Sequence, residues 1–207
     1  MKRAFRSGAK WGLDKQHRHA RLLLGGFIMS RLPLLTKDEV HAEYQEIFGG
    51  GMNLHRQTLH SPKLARLSRQ MGLYFRRESP LPARHCEIAI LQIAWLARSA
   101  YEYSHHLKIA LEAGVSEDDL TKLATGQSFT TQPVTQLVIH VATQMTVEGA
   151  VNQTTFTELQ KHFSADQIID LLFVTSFYIG FVRFTASLAL QVEPDYQTYL
   201  DRFPLPQ

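Results

Sequence analysis

Three ionisable side chains in the middle of the chain have the chemistry of acid/base groups: Glu87, Glu102 and His106. Glu87 lies in the almost wholly apolar stretch 86–97, so its charge must be paired, hydrogen-bonded or suppressed by protonation. Glu102 and His106 are four residues apart, which places them on one helix face, where the carboxylate can orient the imidazole and raise its basicity. This pattern is compatible with proton transfer by His106.

Each of these residues also has a purely structural interpretation. Glu87 can neutralise the N-terminus of its helix or pair with Arg84. Glu102 lies three residues after Ser99, where it can complete a helix cap. A lone core histidine is usually a satisfied polar residue, so the residues alone leave both interpretations of His106 open.

Face geometry distinguishes His106 from its neighbour His105. The helix face of His106 carries small residues that favour close packing, so we expect His106 inside the fold; its other members are Ser99, Glu102, Ala110 and Ala113. His105 shares a face with Tyr101, Lys108 and Glu112, and the two charges on that face predict that it is solvated. We therefore expect a His105→Gln change to have little effect.

The sequence lacks the motifs of metal-dependent and serine hydrolases. It has no His-Glu-x-x-His, no cluster of cysteine ligands and no nucleophile elbow, and the ten histidines are dispersed, so we expect no metal. The glycine triplet 49–51 lacks the following Lys-Ser/Thr of a phosphate loop. The single cysteine, Cys86, cannot form an internal disulfide, so an oxidising compartment is not required and a cytoplasmic location is expected.

Helices are the elements that the sequence offers to position these groups. Five hydroxyl residues stand three positions before an acidic or amide side chain, the pattern of a capping box: Thr36, Ser99, Ser116, Thr155 and Ser164. Ser61-Pro62 marks another helix start. No stretch alternates polar and apolar residues as a half-buried strand does. The sequence thus predicts an all-α fold, a compact multi-helix bundle.

Length and charge predict one domain preceded by a basic N-terminal segment. The 207 residues are 44% hydrophobic and 20% charged, which suffices for a single core. Residues 1–28 carry seven basic residues and one acidic residue, so the formal net charge of the rest is −3 and gives no indication of nucleic-acid binding. We predict a domain at 29–207, preceded by a basic extension at 1–28 that is either upstream of the true start at Met29 or a targeting segment.

The apolar stretch 168–192 raises the question of a membrane span. Asp170 and Arg183 interrupt it, and the uncharged part between them is too short to cross a bilayer. We therefore predict a buried helix and no membrane association.

Several segments together resemble the carboxymuconolactone decarboxylase family. They are Arg84–Trp95, Ser99–His106 with Ala110, Ala113–Ser116, and, as in the closing helix of longer members, Phe177–Phe184 with Val192-Glu193-Pro194. The resemblance runs from about Met29 to about Tyr196. It implies a helix bundle that associates into homo-trimers or hexamers, with the site near subunit contacts.

The thiol branch of this family, the alkylhydroperoxidase D-like proteins, has a Glu, two relay cysteines and a His. These align with Glu87, Ser99, Glu102 and His106, so both thiols are missing. Cys86 occupies neither position. Peroxide reduction needs an attacking thiolate and a resolving thiol, and is therefore disfavoured.

The acid/base residues that remain resemble the branches that need no cofactor. The resemblance implies a cofactor-free lyase or isomerase acting on a small carboxylated compound, with His106 exchanging a proton, Glu102 holding its tautomer and Glu87 acting as a second acid or positioning group. The candidates for binding that substrate are Arg84, Arg98, Ser99, Tyr178 and Arg183. The alternative is a noncatalytic helical oligomer that kept the fold after losing its thiols.

Overall fold

The computed structural model describes residues 30–127 and 132–206, and this part of the chain is helical without a strand, which confirms the all-α prediction. The basic extension 1–28 lies outside the described residues. Two short 3₁₀ turns, Lys37–Glu39 and Ala42–Tyr44, precede the α-helices. The α-helices within the described ranges are α1 Gln45–Phe48, α2 Asn53–Thr58, α3 Pro62–Arg77, α4 Ala83–Leu96, α5 Ala100–Glu112, α6 Glu117–Ala124, α7 Pro133–Val147, α8 Gln153–His162, α9 Ala165–Ser187 and α10 Pro194–Arg202.

Helix α4 is the centre of the fold. It packs against α5, α7 and α9, and every residue from 86 to 94 is buried. A helix with apolar residues on nearly all sides is stable only when other helices surround it. This central position brings Glu87, in the first turns of α4, next to α5.

Helix starts follow the capping pattern at most of the expected positions. Capping boxes form at Thr36 and Ser164, and the Ser116 hydroxyl accepts the backbone N–H of Asp119. Pro62 is the first residue of α3, as expected.

At two of the five expected positions the hydroxyl residue does not cap a helix. Thr155 lies inside α8, because Asn152 caps that helix by accepting the Thr155 N–H at 2.9 Å. Asparagine is as good an N-cap as a hydroxyl residue. Ser99 does begin α5, but its side chain makes no capping hydrogen bond, and Glu102 is buried in the interior instead of reaching back to it.

Helix α9 is long and apolar enough to cross a membrane by length and composition alone. One of its sides is packed in the core, where Leu171, Val174 and Val182 are buried. Another side leaves Ile169 65% and Phe173 51% exposed. The prediction of a buried helix therefore holds for one side of α9 only.

Candidate active site

Glu87 and His106 form a buried, charge-assisted hydrogen bond between α4 and α5. Glu87 Oε2 lies 2.6 Å from His106 Nδ1, and the residues are 1% and 6% exposed. The distance is short even for a bond to an ionised group. The Glu87 carboxylate can only accept a hydrogen bond, so His106 Nδ1 is the donor and carries a proton. This contact fixes the tautomer of the ring.

Glu102 lies on the other side of the same imidazole. Its Oε2 is 3.7 Å from His106 Nε2, which is longer than a hydrogen bond. The expected hydrogen bond between these helix neighbours is therefore absent, because Glu87 from the adjacent helix holds the ring instead. Glu87 is the residue that orients His106, and Glu102 faces the nitrogen that remains available.

The environment shifts the pKa values of this cluster. Burial by itself lowers the pKa of His106, but the charge and hydrogen bond of Glu87, aided by the charge of Glu102, raise it above its ordinary value. Burial raises the pKa of Glu102, and the nearby His106 and His105 only partly offset this effect. Each shift favours the protonated form of its group.

A cavity of about 270 Å³ opens onto His106, Glu102 and Tyr178. Its walls come from α2, α3, α5, α9 and α10, and it is small for a drug-sized ligand. Glu87 is not among the lining residues, so the Nε2 edge of His106 is the one that faces the cavity. A second cavity of about 280 Å³, beside Trp95, has no ionisable side chain in its lining.

Tyr178 is the sequence-predicted binding residue that does line this cavity. Its ring meets the His106 ring edge to face, with centroids 5.0 Å apart. Burial and the Glu87 and Glu102 carboxylates raise its pKa well above the ordinary value, so the phenol keeps its proton. The hydroxyl makes no hydrogen bond to a described residue, which leaves it available to donate to a bound molecule.

The other predicted binding residues lie away from the cavity and have different surroundings. Arg84 donates to Thr135 Oγ1 at 2.9 Å and pairs with Asp119 at 3.4 Å. Arg183 is exposed and donates to the Ile179 carbonyl. Arg98 is exposed at the turn before α5, and Ser99 is buried at the start of that helix.

Sequence reasoning missed two arginines that line the cavity, Arg69 and Arg76 on α3. They are seven residues apart with Gly72 between them, a spacing that puts all three on one helix face. That spacing was the available signal. It does not show which charged face of a helix borders a cavity.

The expectation that His105 is solvated was wrong. His105 is only 5% exposed. Its Nδ1 is 2.8 Å from the Tyr101 carbonyl, and its Nε2 is 2.9 Å from Glu193 Oε2. The ring also lies between those of Tyr101 and Tyr196, at centroid distances of 4.3 and 3.8 Å. Helix α10 packs on α5 and covers the face that the local sequence pattern indicated as exposed.

Cys86 is buried away from the cavity lining. Burial, together with the charges of Glu87 and Asp170, raises its pKa to about 12. Its thiol is therefore protonated at neutral pH and unreactive. Among residues 30–127 and 132–206, no group of three or more His, Cys, Asp or Glu side chains is placed to hold a metal ion.

Part of the chain matches a known protein family. Residues 62–144, which include Glu87, Glu102 and His106, match the model of the carboxymuconolactone decarboxylase family. No curated protein matches the sequence.

Two solved structures share the fold. One is the alkylhydroperoxidase AhpD core of an uncharacterized peroxidase-related protein from Ralstonia eutropha JMP134, with a TM-score of 0.73 and 15% identity over 84% of this chain and 97% of that one. The other is an uncharacterized peroxidase-related protein from Silicibacter sp. TM1040, with a TM-score of 0.68 and 17% identity over 81% of this chain and 93% of that one. The chain is thus similar to the carboxymuconolactone decarboxylase family over residues 62–144, and it shares the fold of the alkylhydroperoxidase AhpD core.

Proposed function

We propose that the protein is a cofactor-free acid/base lyase or isomerase of the cytoplasm that acts on a small carboxylated compound. The observation that carries this proposal is the 2.6 Å contact between Glu87 and His106 Nδ1, which leaves Nε2 facing a cavity of about 270 Å³. A histidine held by a buried carboxylate on one nitrogen, with the other facing a cavity, is arranged for proton transfer.

In a lyase reaction, the bond between the substrate carbon and its carboxylate breaks and carbon dioxide leaves. The electron pair left behind spreads into an enolate or dienolate, and His106 Nε2 delivers a proton to the carbon. The raised pKa of His106 supports a ring that starts protonated. The neutral ring then takes a new proton from water, while Glu87 keeps the orientation of the imidazole unchanged.

In an isomerase reaction, His106 Nε2 removes a proton from one carbon and returns it to another, so no net proton is consumed. Glu102 Oε2 lies 3.7 Å from Nε2. A small movement of either side chain would bring the two atoms into hydrogen-bond distance, so the carboxylate could hold the proton between the two steps. Tyr178 can donate its phenolic proton in a hydrogen bond to the enolate oxygen in either reaction.

The two solved relatives are called peroxidase-related, and the geometry of this chain argues against that activity here. The relay positions hold Ser99 and Glu102, and the one thiol is buried with a pKa of about 12. A thiol in that state cannot attack a peroxide at a useful rate.

A noncatalytic homo-oligomer is the second candidate function, and one observation favours an oligomer under either function. Helices α3 and α9 expose large apolar side chains, with Leu64 at 50% and Leu67 at 63% on α3 and Ile169 at 65% on α9. Exposed apolar surface of this kind is typical of contact sites. Size-exclusion chromatography with light scattering tests for the trimer or hexamer.

The decisive experiment assays purified protein against a panel of carboxylated lactones and hydroperoxides. We expect turnover of a carboxylated compound, and a loss of about 10²-fold or more in His106→Gln. His140→Gln, an exposed histidine on α7, is the matched control and should keep full activity. Turnover that survives His106→Gln in folded protein would refute the role of His106, and no turnover of any compound would favour the noncatalytic oligomer.

A further inference from the structure

The charges that line the cavity are unbalanced at its α3 wall. Lys108 and Glu112 pair with each other, and Glu102 faces His106. Arg69 and Arg76 line the same cavity, and neither pairs with a carboxylate in the part of the chain that the structure describes. Two uncompensated guanidinium groups beside one cavity attract an anion.

The backbone between these arginines leaves space for such an anion. Arg76 folds back along α3, with its Nε donating to the Gly72 carbonyl at 3.0 Å. A Cβ added at Gly72 would meet only the Arg76 Nη2, at 3.8 Å, so the surface above Gly72 is open. Arg69 lies three residues before Gly72, about one helical turn away, and its long side chain can reach the same place.

The field of Arg76 reaches the acid/base cluster. Arg76, His106 and Tyr178 line one cavity of about 270 Å³, and the positive charge of Arg76 acts to lower the pKa values of both His106 and Tyr178. An anion bound by Arg76 would therefore sit within one small molecule's length of His106.

The cavity wall between these charges is aromatic. Phe177 and Phe181 of α9 line it with stacked rings, at a centroid distance of 5.2 Å and an interplanar angle of 18°. Flat rings pack well against such a wall. The ligand that fits is thus anionic at one end and flat and apolar in its body.

We propose that Arg69 and Arg76 form the anion-binding subsite of this cavity and hold the carboxylate of its ligand. This inference rests on the proposed function and names the residues that bind the charged end of its substrate. It replaces Arg84, Arg98 and Arg183, which lie outside the cavity, as the residues that bind the carboxylate.

Binding of benzoate and of its neutral counterpart benzamide, measured by NMR titration, tests this proposal without any turnover. We expect benzoate to bind at least about fivefold more tightly than benzamide, and the preference to shrink as salt is added. Arg69→Gln and Arg76→Gln should each weaken benzoate binding about fivefold, the range of a partly exposed ion pair. Arg77→Gln, an exposed neighbour outside the cavity lining, should change it less than twofold.

A further variant, Gly72→Leu, fills the open space between the arginines. It should abolish benzoate binding without lowering the melting temperature, because glycine is the weaker helix former. Equal binding of benzoate and benzamide, no binding of either, or equal effects of Arg77→Gln and Arg76→Gln would overturn the proposal.

The outcomes separate this inference from the proposed function. Arginine-dependent benzoate binding in a protein that turns over none of the assayed compounds would refute the function and support the subsite. Turnover that depends on His106 but is unchanged in Arg69→Gln and Arg76→Gln would refute the subsite and support the function.

Discussion

The contact between Glu87 and His106 predicts strong energetic coupling that a double-mutant cycle can measure. Each residue is almost fully buried, and each is the other's closest charged partner at 2.6 Å. Removing one member of a buried pair leaves an uncompensated group, which costs about 3–5 kcal/mol. A glutamine at either position restores part of the hydrogen bonding, so we expect about 3 kcal/mol for Glu87→Gln and for His106→Gln.

The double variant should be no less stable than either single variant. With both charges gone, two amides face each other across the same gap and can form a neutral hydrogen bond. The coupling free energy is then on the order of 3 kcal/mol. In a domain of this size, each single change should lower the melting temperature by roughly 6–12 °C.

Urea unfolding of the four proteins at one pH near neutrality gives the free energies of the cycle. Lys108 and Glu112, an exposed ion pair on the same helix α5, supply the matched control cycle, with an expected coupling below about 1 kcal/mol. If the costs of Glu87→Gln and His106→Gln add to within about 0.5 kcal/mol, the two residues are not coupled and the reasoning about the site fails.

Three further predictions concern single groups. His105→Gln should lower the free energy of unfolding by about 2–4 kcal/mol through its lost polar and stacking contacts, with turnover per folded molecule unchanged; an unshifted thermal melt would contradict this. The pKa of His106 is raised above 6.5 in the fold, so protonation of His106 stabilises the folded protein fully below about pH 6.5, and this stabilisation is lost as pH rises through the folded pKa. The free energy of unfolding in urea should therefore fall on the alkaline side, and it should fall less steeply in His106→Gln. Cys86 should resist alkylation by iodoacetamide in the native protein and react in urea, and Cys86→Ser should leave hydroperoxide turnover unchanged; rapid native labelling would show an accessible thiolate.

The helical class was predictable because its signals are local. Hydroxyl caps, apolar spacing and Pro62 act within a few residues of one another, and the near absence of polar residues from 86 to 97 is typical of a buried helix. The failures at Ser99 and Thr155 have a common cause. A capping pattern competes with other caps and with tertiary contacts, which the pattern does not contain.

The partner of His106 depended on such a tertiary contact. Local spacing selects Glu102, which is one helical turn away from His106. Glu87 is nineteen residues away and reaches Nδ1 only because α4 packs against α5. The residues of the cluster could thus be predicted from the sequence, whereas the role of each carboxylate could not.

Arg69 and Arg76 were missed for a related reason. Both are exposed on α3, an amphipathic helix whose charged face has the sequence pattern of an ordinary solvated surface. Only the placement of α9 and α5 opposite that face turns it into the wall of a cavity. A glycine between two arginines on one helix face occurs on many solvated surfaces, so this pattern alone does not predict a binding site.

The two adjacent histidines of α5 differ in what their ring nitrogens face, and this difference assigns them separate roles. Successive residues of a helix point about 100° apart. His105 is thereby turned toward the Tyr101 carbonyl and Glu193, which occupy both of its nitrogens. His106 is turned toward Glu87 and the cavity, so only one nitrogen is occupied. A proton can pass to a bound molecule only from a nitrogen that faces it, and that condition selects His106 and leaves His105 to tie α5 to Glu193, the residue that precedes α10.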